Sequence, residues 1–393
     1  MPGSYIVAGA RTPIGKMSGA LASFSAAELG GFAIKAALER AGVRPDEVEH
    51  VLMGQVLMAG QGQVPSRQAA VKAGIPMNVP AVNINKVCLS GLNTIYLADQ
   101  MIQAGDADIV IAGGMESMTN APYIAAGARG GFRYGNVDLK DAIIADGLWC
   151  AFDACLMGLG TERYSAGGIS RAEQDDLAMK SNQRAAAAIA AGRLADEIVP
   201  VSIPQRKGDP VLVANDEGVR ADTTMDSLAG LKPAFDKEGT ITAANASQIS
   251  DGGSAVVVMS ERAVKARGVT PLGKVLGYGM VAGPDSASLL TQPSRAILRA
   301  LDKAGMKVGD LDLFELNEAF AAVGIASMRD LGISDDVVNV NGGAIALGHP
   351  IGMSGNRVAL TLLHELRRRG GGTGAAALCG GGGQGDAIIV STV

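Results

Sequence analysis

Three side chains of this sequence stand where covalent chemistry could be done. Cys88 lies in NKVCLSG (85–91), where a strand-like run becomes helix-like. Backbone N–H groups and the positive end of a helix dipole favour a thiolate at such a point. The thiolate is the attacking form of cysteine, an effective nucleophile. The competing reading is that a free cysteine is usually a small buried hydrophobe. His349 lies in NGGAIALGHPIGMSG (341–355), a glycine-dense loop in which Pro350 follows the histidine. A histidine held there can polarise a neighbouring thiol or donate to an oxyanion; otherwise it is a loop residue of no consequence. His50, in a charged turn, and His364, on an amphipathic helix, read as structural or solvated. Cys379 ends an apolar run in AAALCGGGGQG (375–385), and glycines 380–383 could aim N–H groups at a developing negative oxygen.

The same stretch satisfies GxGxxG through Gly380, Gly382 and Gly385. A dinucleotide site is excluded, because that motif should open a helix and here it opens the strand-like DAIIVSTV. Asn317 and Glu318 in NEAFA (317–321) admit two readings. One is helix capping, since Asn is a favoured N-cap and acids suit a first turn. The other is an amide that orients a water or a carbonyl.

The elements that must position these residues alternate strand and helix. SYIVAGA reads as a strand, and residues 25–41 read as a helix with Ser25 as N-cap and Glu28 completing a capping box. VEHVLMGQVL is strand-like, residues 89–104 place Leu92, Ile95, Tyr96 and Ile102 near one helical face, and ADIVIAGG returns as a buried strand. Such alternation implies a layered α/β unit with parallel pairing. Residues from about 118 to 250 differ, with glycine-rich and charged loops and one clear helix between Ser170 and Gly192; they read as an insertion. SAVVVMS (254–260) resumes the strand pattern. A helix around 293–305 follows, then DLDLFELNEAFAAVGIASM as a strand running straight into a helix, VVNVNGG as a strand, and a helix over 354–369 ending in three arginines. GAAALC and DAIIVSTV close the chain as a strand pair. The likeness of VNINKVC to LFELNEA, each a strand entering a helix through a polar step, suggests two similar α/β halves facing each other.

Bulk properties narrow the class. The 393 residues favour two or three structural units and a large core. Charged residues are 19% and the net charge is -5, which argues against a general nucleic-acid binder. Cysteines at 88, 150, 155 and 379 give neither a disulfide framework nor a CxxC metal spacing. The start, MPGSYIVAGARTPIG, has no basic segment followed by a long apolar stretch, so a cytoplasmic location is expected.

The blocks NKVCLSGL, GGMES (113–117), NEAFA, GGAIALGHPIGMSG and CGGGGQG resemble, in order, the signature blocks of thiolases. RTPIGK and AFDKEGTITAANAS (234–247) are similar too, in particular to the family's short-chain acetyl-CoA acetyltransferases. The resemblance implies two mixed five-stranded α/β halves, layered αβαβα, over residues 1–117 plus 251–270 and 271–393, with 118–250 as the inserted coenzyme A-binding region. It also implies a reversible Claisen condensation of two acetyl-CoA to acetoacetyl-CoA and CoA. Cys88 would carry the acetyl group with help from His349, and Cys379 would take the proton from the second acetyl-CoA. One oxyanion hole would comprise His349 and a water held by Asn317, the other the N–H groups of Cys88 and Gly381. Arg220, Ser227 and Ser247 would contact coenzyme A, and Met157 would border the acyl pocket. The implied partners are acyl-CoA substrates and a homotetramer built from dimers, with no metal, cofactor, membrane or nucleic acid. Three positions depart from the usual pattern: Leu89 after Cys88, Leu156 before Met157, and SDGGSA (250–255). The alternatives are a degradative 3-ketoacyl-CoA thiolase of broader chain length and a non-catalytic acyl-CoA or lipid-binding relative. A decarboxylating condensing enzyme would instead pair its cysteine with two histidines, or with His and Asn.

Overall fold

The computed structural model describes residues 3–165, 168–286 and 288–393. The first half runs β1 (Ser4–Arg11), α1 (Ala26–Ala41), β2 (His50–Gly54), α2 (Pro65–Lys72), β3 (Ala81–Ile84), α3 (Ser90–Ala104) and β4 (Ile109–Ser117). Ser25 and Glu28 form the reciprocal cap of α1, and Gly42, with φ 61°, ends it. The insertion contains α4 (Met157–Ser165) and α5 (Arg171–Ala190), the latter capped by Ser170 with Glu173 and followed by Gly192 at φ 69°. Then comes β5 (Ser250–Ser260). The second half runs β6 (Gly273–Ala282), α6 (Gln292–Ala304), β7 (Leu313–Leu316), α7 (Ala321–Leu331), α8 (Ser354–Arg368), β8 (Thr373–Gly380) and β9 (Gln384–Ser391).

The two halves repeat one pairing pattern. In the first, β1, β5 and β4 are successive antiparallel neighbours, and β2 and β3 continue in parallel. In the second, β6, β9 and β8 are antiparallel and β7 continues in parallel. VVNVNGG (337–343) is expected as a fifth strand, but only one parallel bridge forms there among the described residues, Phe314 to Val338. Asn339 stops the strand. Its φ is 47°, and its side chain accepts from the Leu316 N–H and donates to the Leu316 carbonyl, both at 2.8 Å. An amide side chain thus takes the place of a backbone neighbour. The halves join where β1 meets β6, at Tyr5 with Lys274 and Ile6 with Gly273, making one continuous sheet.

This pattern corrects the internal echo drawn from sequence. LFELNEA (β7) matches HVLMGQV (β2), while VNINKVC (β3 into α3) matches the 338 bridge leading to His349 and α8. Neither does β7 run straight into a helix; residues 317–320 intervene before α7.

Five layers result. Helices α1 and α2 cover the outer face of the first half through Ile34, Leu38 and Ala69 against Val51 and Val257. Between the halves lie α3 and α8, where Leu92, Ile95, Leu360 and Leu363 meet Val256 and Ile388. Helices α6 and α7 close the far side with Ile297, Leu301 and Val323 on Phe314 and Ile389. Along β5, Val256 and Val258 face the middle layer while Val257 and Met259 face the outer one, the two-residue period of a strand buried on both faces. The insertion is tied down by Arg11, whose buried guanidinium meets Glu197 at 2.7 Å and Asp216 at 2.6 Å and 2.9 Å. Among the described residues, no helix is long and apolar enough to cross a membrane.

Candidate active site

The duplicated topology explains the convergence. Cys88 precedes α3, His349 precedes the matching helix α8, Asn317 follows β7, and Cys379 lies at the end of β8. All stand at carboxyl ends of parallel strands or on the loops that leave them, where α/β sheets bind ligands. Cys88, His349, Cys379 and Gly381 line one cavity of about 60 Å³.

The sulfur of Cys88 is met by its own backbone N–H and that of Gly381. The expectation of a resting thiolate is corrected here: burial outweighs those donors and pushes the thiol up to about 12. Cys88 is half-buried on the cavity wall, whereas Cys379 is buried, and its thiol is pushed up by that burial and by the nearby charge Cys88 would carry. The run of glycines after it is a turn requirement, since Gly382 and Gly383 sit at φ 76° and 68° between the antiparallel strands β8 and β9.

His349 is buried, and its Nδ1 lies 2.6 Å from Ser354 Oγ. Ser354 Oγ donates to the Pro350 carbonyl at 2.9 Å, so it accepts from the ring. Nδ1 therefore carries the proton and Nε2 keeps its lone pair. Burial and the Arg357 charge hold the imidazole pKa down to about 3, so the ring is neutral. Nδ2 of Asn317 lies 3.4 Å from Nε2. Asn317 does not cap a helix, because α7 begins at Ala321 with Phe320 before it. Glu318 is likewise no cap: its carboxylate accepts from Ser181, Asn339 and the Ile345 N–H.

Sequence reasoning missed two supports of the histidine loop. One is Ser354. The other is Glu116, fully buried, whose carboxylate accepts from the N–H groups of Val56, Leu57 and Gly352 at 3.0, 3.1 and 2.9 Å. A Cβ on Gly352 would stand 2.7 Å from Gln55 Cα, so only glycine permits this approach. Both residues lie inside quoted sequence blocks, yet neither bears a local pattern that reveals its partner.

A wider cavity of about 590 Å³ adjoins the small one and shares with it Leu148, Met157, Ser247, Ala319, Phe320 and His349. Arg220 lines the wider cavity only. Ser227 lines neither; it is exposed and forms a reciprocal cap with Thr224 on the helix Met225–Ala229. No group of three or more His, Cys, Asp or Glu among the described residues is placed to hold a metal ion.

The comparisons with known proteins agree along the chain. The sequence profile described as thiolase, N-terminal domain, matches residues 4–262, and that of the thiolase C-terminal domain matches residues 269–392. The chain is 56% identical over 386 residues to a probable acetyl-CoA acetyltransferase of Mycolicibacterium smegmatis, covering 98% of this chain and 99% of that one. It is 54% identical to an acetyl-CoA acetyltransferase of Cupriavidus necator over 93% of both, and 51% identical to one of Pseudomonas aeruginosa over 98% of both. With both halves matched and relatives aligned over nearly their full length, the chain belongs to the thiolase family.

Proposed function

We propose that this enzyme is an acetyl-CoA C-acetyltransferase, joining two acetyl-CoA into acetoacetyl-CoA and CoA through an acetyl group on Cys88. The observation that carries the reading is the small cavity holding both cysteines and His349 at the end of a wider one. Coenzyme A lies along the wider cavity, mostly against residues 118–250, with Arg220 and Ser247 as polar contacts and Met157 beside the acyl group. Ser227 is retained as a contact only for the far end of coenzyme A.

Protons balance through three groups. Nε2 of His349 takes the proton of Cys88 as its sulfur attacks the thioester carbonyl. The N–H groups of Cys88 and Gly381 hold the resulting oxyanion. Cys379 gives its proton to the departing coenzyme A sulfur and is left as a thiolate. That thiolate is easier to sustain once Cys88 is a neutral thioester, because like charges no longer face each other. Cys379 then removes a methyl proton from the second acetyl-CoA. The new enolate oxygen is held by protonated His349 and by a water bound to Asn317. The carbanion attacks the acetyl carbonyl, the bond to Cys88 breaks, and His349 returns the proton to Cys88. Coenzyme A thioesters are the substrates, and no step calls for another cofactor. The enzyme acts in the cytoplasm as a homotetramer. Incubation with acetyl-CoA, quenched and followed by peptide mass spectrometry, should find one acetyl group on Cys88 together with free acetoacetyl-CoA; acetylation elsewhere, or none, would refute it.

A further inference from the structure

Cys88 sits on a strained segment. Residues 85–89 belong to neither β3 nor α3, and Val87, immediately before the nucleophile, has φ 51°, a left-handed conformation that a β-branched side chain resists. Local bonds help to hold it: the Val87 N–H donates to Asn85 Oδ1 at 3.1 Å, the Lys86 N–H to Ser90 Oγ at 2.8 Å, and Ser90 Oγ to the Val87 carbonyl at 2.6 Å. Lys86 ties the segment to the other half of the molecule by an ion pair. Its Nζ donates to both oxygens of Asp386, at 2.7 Å and 3.0 Å. Asp386 is fully buried on β9 and also accepts from Tyr278 at 2.7 Å and from Asn93 at 3.5 Å.

The position of Asp386 gives this ion pair its meaning. It stands opposite Leu378 in the β8–β9 hairpin, one register step from the pair Cys379 and Gly385. The lysine two residues before one cysteine is thus clamped to the strand partner of the residue before the other. We infer that Lys86 and Asp386 are positioning residues that set Cys88 against Cys379 and the Gly381 N–H for the condensation step. This inference rests on the reading that the two cysteines act in one reaction. The pair touches neither cavity, so acyl-CoA binding does not depend on it directly.

The test compares Lys86→Gln with Lys86→Arg. Asp386 keeps Tyr278 and Asn93 as donors in both, which favours folding. Lys86→Gln should lower kcat for acetoacetyl-CoA formation by about 10²-fold, the cost of a displacement near 1 Å. KM for acetyl-CoA should stay near wild type, and Cys88 should still be acetylated stoichiometrically by intact mass. Lys86→Arg, which restores a cation able to reach both oxygens, should recover much of the rate. Unchanged kcat in Lys86→Gln overturns the inference. So does a joint loss of rate, KM and melting temperature that arginine does not repair, since that describes a fold contact only. If wild-type enzyme itself leaves Cys88 unacetylated, the two-cysteine reading falls first and this inference with it.

Discussion

Ser354 Oγ lies 2.6 Å from Nδ1 of His349 and hands its own proton to the Pro350 carbonyl, which leaves Nε2 of the histidine as the acceptor, with only the long 3.4 Å contact to Asn317 Nδ2 beside it. The serine is five residues from the histidine and never touches substrate, yet it decides which nitrogen can accept a proton. Ser354→Ala should therefore lower kcat by about 10²-fold, the lower range for loss of a positioned base. KM should change little, because no interaction with ground-state substrate is removed. Steady-state kinetics beside Ser354→Thr, which keeps the hydroxyl, checks this; equal losses in both variants would point to packing instead.

The acyl end of the site sets chain length. The cavity of about 60 Å³ beside Cys88 is lined by Leu148, Leu289 and Phe320, whose bulk restricts the space around the acyl group. Thiolysis of acetoacetyl-CoA should exceed that of 3-ketooctanoyl-CoA by at least about tenfold in kcat/KM, the discrimination a tight pocket gives against extra methylenes. A ratio near one would favour the degradative alternative.

The half-buried, largely desolvated thiol of Cys88 makes a prediction opposite to the one its place before a helix suggested. With the thiol pushed up to about 12, the thiolate fraction in the free enzyme should keep rising throughout the neutral to alkaline range. Iodoacetamide modification of Cys88 should accelerate by about tenfold per pH unit from about pH 7 to 9 without levelling off. A plateau at neutral pH would restore the resting-thiolate view.

Glu116 links pH to the stability of the histidine loop. Burial outweighs its three N–H donors and raises its pKa from 4.5 to about 7. A carboxyl whose folded pKa is raised binds its proton more tightly in the folded state. Its contribution to stability is therefore full below about pH 4.5 and is lost as pH rises through about 7, by about 3 kcal/mol in all. Glu116→Gln should remove that slope from urea-unfolding free energies measured across this window, whatever its effect on their absolute level. An unchanged slope would place the titration elsewhere.

Cys88, His349 and Cys379 were legible because each interrupts a periodic pattern with glycines and because their blocks match one family in order. The capping box of Ser25 with Glu28 and the helix start at Ser170 are legible because a cap and its partners lie within three residues of each other. What was not legible depends on partners far along the chain. Glu116 meets Gly352 across 236 residues, and no nearby residue hints at it. Asn339 sits in an alternating run that reads as a strand, and only the neighbouring Leu316 shows why its side chain replaces a strand's hydrogen bonds. The helix terminus that lowers the Cys88 thiol is visible in sequence, and the desolvation that raises it is not. Ser227 has the polarity of a ligand contact, and only the structure shows that its hydroxyl also caps the helix Met225–Ala229.

The two cysteines should separate cleanly by substitution. Acyl transfer to Cys88 needs a nucleophile, a proton acceptor and an oxyanion hole, and in the proposed sequence only the protonation of the leaving sulfur involves Cys379. Coenzyme A leaves readily even as a thiolate, so acetylation survives without that proton. Removing a proton from the methyl carbon of acetyl-CoA is harder, and a positioned base contributes about 10²–10⁴-fold. Cys379→Ala should thus lower acetoacetyl-CoA formation by at least that range while intact mass still shows one acetyl group per chain. Cys88→Ala should abolish both. Loss of the Cys379 sulfur adjoins Gly381, whose N–H faces Cys88, and the stoichiometry of acetylation reports whether that donor has been disturbed. Wild-type condensation by Cys379→Ala would mean that a different group takes the carbon-bound proton, and Cys379 would be a buried strand-end residue only.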